Sequence, residues 1–173
     1  MSDSRQVQKF VPATPVEDVA PEIPWGSGVR RAYEYWLGQR PGGGLPGRQH
    51  IDPTDIPFLL RGLWLIDVAR EPFRFRYRLV GTRIVEAMGR DPTGLWLEEA
   101  HPHASSVPGF FLRYERVAQT GIPSRRRGTA LLWSHRDYRE IENILLPLAA
   151  DGKTVDMIMV YTSVYRVDGS EVD

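Results

Sequence analysis

Between Phe73 and Gly81 the chain alternates bulky apolar and basic residues: Phe73, Phe75, Tyr77 and Leu79 are separated by Arg74, Arg76 and Arg78. Successive side chains on an extended strand point to opposite faces, so this pattern predicts a strand with one dry side and one charged side. Residues 63–69, Leu-Trp-Leu-Ile-Asp-Val-Ala, predict a second strand, with Arg70, Glu71 and Pro72 turning between the two. Apolar residues Val29, Tyr33, Trp36 and Leu37 recur at helical spacing, so 27–39 reads as an amphipathic helix capped by Ser27. The run from Arg40 to Gly44 ends it.

Farther along, Asp52, Pro53, Thr54 and Asp55 open a short helical turn, and Ile56, Phe58, Leu59 and Leu60 give it an apolar face. Residues 82–88 read as a helix closed by Gly89. Residues 105–120 place Val107, Phe110, Phe111, Tyr114, Val117 and Ala118 at spacings of three and four, which predicts the longest central helix. Three strands come after it, over 123–133, 139–149 and 153–167, the last two joined through a two-residue turn at Asp151 and Gly152. The prolines at 12, 15, 21 and 24 make residues 1–24 a flexible tail, and 168–173 form a short C-terminal one. The expected architecture is α+β. A five-stranded antiparallel sheet carries a helical middle on one face, preceded by the amphipathic helix, in a single domain over 25–167 with its core at 45–165.

Several stretches carry a family resemblance: Leu45 to Pro53, Ile56 to Leu60, Phe75 to Thr82, Leu146-Pro147-Leu148 and Asp151-Gly152. Over residues 25–165 the chain resembles a bacterial, alphaproteobacterial-type PAS-like domain family. The resemblance implies a small sensory or protein–protein interaction domain, with a ligand cavity between the helical middle and the inner sheet face. Candidates for its wall are Leu79, Ile84, Met88, Trp96, Phe110, Phe111, Tyr114, Trp133, Leu146, Met157, Met159 and Tyr161. The same residues would equally serve a filled core. No catalytic residues are established for that family, and none are carried over.

Composition removes several classes. Lysine plus arginine and aspartate plus glutamate number 22 each, a balance unlike that of a nucleic-acid binder. The absence of cysteine excludes disulfides, thiolate catalysis, Cys-ligated metal and the cysteinyl-adduct flavin photochemistry of some light sensors. No apolar run is long enough for a membrane helix and no signal peptide is evident, so a cytoplasmic protein is expected. His101 and His103 are the candidates for metal or haem, but their spacing around Pro102 is not a ligand spacing, and they read as loop histidines beside a helix. No cofactor is therefore expected. The arginine groups 74/76/78 and 125/126/127 could grip phosphates, yet Glu140, Glu142 and Asp156 on neighbouring strands favour cross-strand ion pairs. His50 with Asp52 and His135 with Asp137 lack the framework of a general-base dyad. A non-enzyme is expected. The alternative is a small α+β barrel isomerase or cyclase using a pocket His or Asp, which would need a long, curved sheet around a deep cone.

The face of the sheet away from the helical middle is expected to carry Trp64, Ile66, Val68, Ile158, Val160 and Val164. That is more apolar surface than a monomer leaves open. A homodimer is expected, with Val29, Tyr33, Trp36, Leu37, Trp64 and Ile66 at its interface, and a partner signalling protein to receive the output. The competing reading is that the N-terminal helix covers its own sheet.

Overall fold

The alternating segment forms a strand, as its pattern requires. In the computed structural model, which describes residues 9–130 and 138–172, the elements run β1 (Glu17–Asp18), α1 (Ser27–Gly38), β2 (Leu63–Ala69), β3 (Arg74–Val80), α2 (Thr82–Met88), α3 (Leu97–Ala100), α4 (Pro102–Ser105), α5 (Leu112–Thr120), β4 (Ser124–Gly128), β5 (Tyr138–Leu148) and β6 (Met157–Arg166). Single 3-10 turns at 48–50, 53–55 and 60–62 connect α1 to β2. Asp52 caps the second of them by accepting a bond from the Thr54 amide at 2.9 Å. Gly89 ends α2 in the left-handed region, at φ 75°.

The sheet order is β1-β4-β5-β6-β2-β3, so the expected five antiparallel strands are joined by a sixth. That strand, β1, pairs parallel to β4 and comes from the segment read as a flexible tail. The segment's described residues from Phe10 to Trp25 are tied down instead. Phe10 and Trp25 stack near Tyr33, the Thr14 amide donates to the Tyr33 hydroxyl at 3.0 Å, and Asp18 meets Arg125 at 2.9 Å.

Both faces of the sheet are covered by the same chain. One face packs Leu63, Leu65, Ile144, Leu146, Leu148, Met159 and Tyr161 under α1, whose Val29, Ala32, Tyr33 and Trp36 are buried there. The Trp36 indole donates to the Pro147 carbonyl at 2.8 Å. The other face packs Trp64, Ile66, Phe75, Tyr77, Leu145, Ile158 and Val160 against Ile84, Leu97, Tyr114, Val117 and Ala118 of the helical middle.

This reverses the expected assignment of faces. Leu146, Met157, Met159 and Tyr161 belong to the α1 side, and Trp64, Ile66, Ile158 and Val160 to the helical-middle side. Alternation shows which residues share a face. It could not say which face meets which helices, because β6 is buried at nearly every position, its polar Thr162 and Ser163 included, and so shows no exposed face. The apolar face of α1 lies against its own sheet, so Val29, Tyr33 and Trp36, expected at an interface between copies, are buried within one chain and Leu37 flanks them. Trp64 and Ile66 are likewise interior.

Three local departures have physical causes. A bulge between β2 and β3 pairs Leu65 with Leu79 and Ile66 with Tyr77, leaving Arg78 as the extra residue. Phe75 and Tyr77 therefore face the core, Val80 turns inward in place of Leu79, and Leu79 is 46% exposed. The expected 105–120 helix is broken after Ser105, where Pro108 and Gly109, at φ +77°, interrupt it before α5 begins at Leu112. The turn between β5 and β6 is wider than two residues: pairing resumes at Leu148 and Met157, and the Asp151 carboxylate accepts bonds from the Lys153 and Thr154 amides.

Candidate functional site

The broken helix leaves a hollow. Val107, Pro108, Gly109 and Phe110 of the interruption, Arg113 and Tyr114 of α5, Arg126 of β4, and Ile141 and Asn143 of β5 line a cavity of about 220 Å³. It sits between the helical middle and the β4–β5 corner of the sheet. Strand alternation fixes its chemistry. Arg126 is paired in register with Asn143 on this inner face, next to Gly128 opposite Ile141 and Ser124 opposite Leu145. Residues 125, 127, 140 and 142 fall on the other side of the same two strands.

The result is an uneven distribution of charge. On the outer face every arginine of β4 has an acid. Arg125, with no exposed surface, bonds Asp18 at 2.9 Å and Glu142 at 2.8 Å, and Arg127 bonds Glu140 at 2.7 Å. On the inner face, Arg126 has no carboxylate within ion-pair distance among the described residues; its guanidinium donates to the Thr129 carbonyl at 2.7 Å. Arg113 is in the same position. It donates to the Ser124 hydroxyl at 2.8 Å, the Asn143 side-chain carbonyl at 2.7 Å and the Ser124 main-chain carbonyl, all of them neutral. Glu17, whose charge acts on Arg113, is bound to Arg116 at 2.6 Å. Burial pulls the Arg113 pKa down to about 10, with the neighbouring Tyr114 opposing that shift and Arg126 adding to it. Burial likewise lowers Arg126. The Tyr114 phenol is raised by burial and drawn back by both guanidinium groups, and all three residues line the same cavity.

Of the twelve residues expected to wall a cavity, Phe110 and Tyr114 line this one. Phe111 packs beside them at the edge of the core, and Ile84 is buried deeper within it. Met88 borders a separate hollow with Arg90, His101 and His103. Trp96 lies on the surface of β3, bridged to Arg76 and stacked by the Arg74 guanidinium at 3.9 Å. Leu79 is on the exposed side of the bulge, and Leu146, Met157, Met159 and Tyr161 are under α1. Trp133, together with His135 and Asp137, lies outside the described residues.

Arg113, Ile141 and Asn143 are absent from the sequence-based cavity wall, and Arg126 enters the sequence reading only within the 125/126/127 group, taken there as ion-paired. The signal for Arg126 was present: Glu140 and Glu142 are two apart, so both fall on the face of β5 opposite Asn143, out of reach of the central arginine of the triplet. Arg74 and the neighbouring arginines stay outside, with Arg74 bound to Glu98 at 2.6 Å. His101 is buried and shares a 2.7 Å hydrogen bond with the Tyr77 hydroxyl, whose pKa burial raises well above the ordinary value. Among the described residues no three His, Cys, Asp or Glu side chains cluster as metal ligands, and no helix is long and apolar enough to cross a membrane.

The strands run β3-β2-β6-β5-β4, with the helical middle inserted between β3 and β4 in the chain. A family model for the PAS domain covers residues 27–161. The chain belongs to the PAS domain family. A comparison with curated proteins gives no match. The matched region begins at the first residue of α1 and ends within β6, so the helix over the outer face belongs to this PAS domain as much as the sheet does.

Proposed function

We propose that this protein is a PAS-type sensory or regulatory domain that takes a small molecule into the cavity beneath the 107–110 interruption and passes its occupancy to a partner protein. The observation that supports this is the cavity itself, placed between the helical middle and the sheet and lined by an apolar floor with a few polar groups. Its volume of about 220 Å³ is below the roughly 300–1,000 Å³ of drug-sized sites and suits a small metabolite. A catalytic reading has less support. Among the described residues, none that lines the cavity is a carboxylate or a histidine.

Native mass spectrometry of freshly purified protein tests the proposal. A non-covalent adduct is expected on the wild type, lost on denaturation and absent from Ile141→Trp, which would fill the space. Bare protein in both, with no stabilisation of the wild type by any member of a metabolite collection, would overturn it. An absorbance scan on the same sample should be featureless above the aromatic band, and a flavin or haem band would redirect attention to His101.

A further inference from the structure

We propose that the cavity's ligand is a small organic carboxylate with an apolar or aromatic body, its anionic end held by Arg126 and Arg113. This rests on the small-molecule reading of the same cavity. The argument is one of charge balance. A buried or half-buried cation normally has an acid beside it, because desolvation penalises an uncompensated charge. Here Arg125 and Arg127 obey that rule and Arg126, between them, does not. Arg113 joins it from α5 with neutral partners alone. Two cations therefore face one space with no carboxylate in ion-pair contact with either among the described residues; Glu17 acts on Arg113 only from a distance and is itself bound to Arg116.

The remaining lining says what kind of anion fits. Asn143 directs its carbonyl oxygen to Arg113, which leaves its amide nitrogen to donate. Tyr114 lines the same space, and its phenol hydroxyl can donate as well. Donors without acceptors suit a group that only accepts. The rest of the wall, Val107, Pro108, Phe110 and Ile141, is apolar and matches a hydrocarbon body. A planar guanidinium fork fits a planar carboxylate, and the small volume favours a single acid group on a ring or short chain.

The test is a set of matched pairs: benzoate, phenylacetate and hexanoate, each beside its amide, with phenyl phosphate as a separate arm. Thermal melting of the full chain is the readout. At least one acid is expected to raise the melting temperature by several degrees in a saturable way, with its amide inactive. Arg126→Met should weaken that acid's binding about tenfold or more, whereas Arg126→Lys, which keeps the charge, should lose less. The ligand-free Arg126→Met protein should melt no lower than the wild type, since no ion pair among the described residues is lost; a marked fall would show that Arg126 is structural and overturn the proposal. If amides stabilise as well as acids, the cavity still binds small molecules but the anionic assignment is overturned. A response to phenyl phosphate alone overturns the carboxylate class. If no probe of either kind binds and the native adduct is also absent, both readings fall together.

Discussion

Arg125 carries a full charge and has no surface exposed to water. Its guanidinium is satisfied at every donor: Nε meets Glu142, one terminal nitrogen meets Asp18 and the Ala20 carbonyl, and the other meets the carbonyls of Ile23 and Pro24. Glu142 in turn accepts from the Gly26 amide at the start of α1, at 3.0 Å, and from the Tyr165 hydroxyl. One residue thus joins β4, β5, the strap of residues 18–24 and the entry to α1. Breaking a buried pair by removing one partner leaves the other charge stranded, at a cost of about 3–5 kcal/mol. Arg125→Met is expected to lose that much in chemical denaturation and to expose 17–26 to amide exchange ahead of the sheet. A loss under about 1 kcal/mol would mean the network contributes little. The contrast with Arg126 shows what a single position in a triplet of like residues decides: neighbours one residue away have opposite surroundings because a strand turns each side chain to the other face.

At the level of elements, the interruption between α4 and α5 is what makes room for the cavity. Gly109 holds φ +77° there, where a Cβ would be strained and would lie 3.3 Å from Leu112. Gly109→Ala is expected to destabilise by about 1 kcal/mol and to shift the midpoint of a urea titration accordingly. At the other side of the sheet Gly28 lets α1 approach, since a Cβ there would sit 2.4 Å from the Tyr161 hydroxyl. The strands β2 and β3, the helix α2 with its Gly89 cap, and α1 were all legible from spacing alone. The bulge at Arg78 was not, because one extra residue leaves the local alternation intact while turning Leu79 and Val80 to the opposite faces. The matched variants Phe75→Ala and Leu79→Ala check this directly. The first should cost about 3–5 kcal/mol as a core deletion, and the second, on the exposed side of the bulge, about 0.5 kcal/mol or less. Similar losses in the two would put Leu79 back in the core.

For the molecule as a whole, the decisive fact is that one chain covers both faces of its sheet. The apolar excess that argued for a homodimer is absorbed within the chain, by α1 on one side and by the helical middle on the other. Trp36→Ala should therefore behave as a core deletion in a single molecule, costing about 3–5 kcal/mol in denaturation, with a loss that does not depend on protein concentration. The fold class was readable because helix and strand periods differ. The division of residues between the two layers was not, because a strand buried on both sides gives no polar face to orient it. The cavity was readable in part: Phe110 before α5 and Tyr114 on it pointed to it, while its charged members looked like surface.

The short strand β1 has one more effect, on solubility. A sheet rim with free amide and carbonyl groups is a template on which other chains can pair and grow. Here the rim at β4 is occupied: the Glu17 amide bonds the Pro123 carbonyl at 2.9 Å and the Val19 amide bonds the Arg125 carbonyl at 3.0 Å. At the opposite rim, Trp96 bridges to Arg76 and the Tyr77 amide bonds the Leu95 carbonyl at 2.9 Å. Removing residues 1–20 uncovers the β4 rim and strips Arg125 of one acid. The shortened protein is expected to self-associate as its concentration rises, visible as increasing light scattering, while the full chain under the same conditions stays clear.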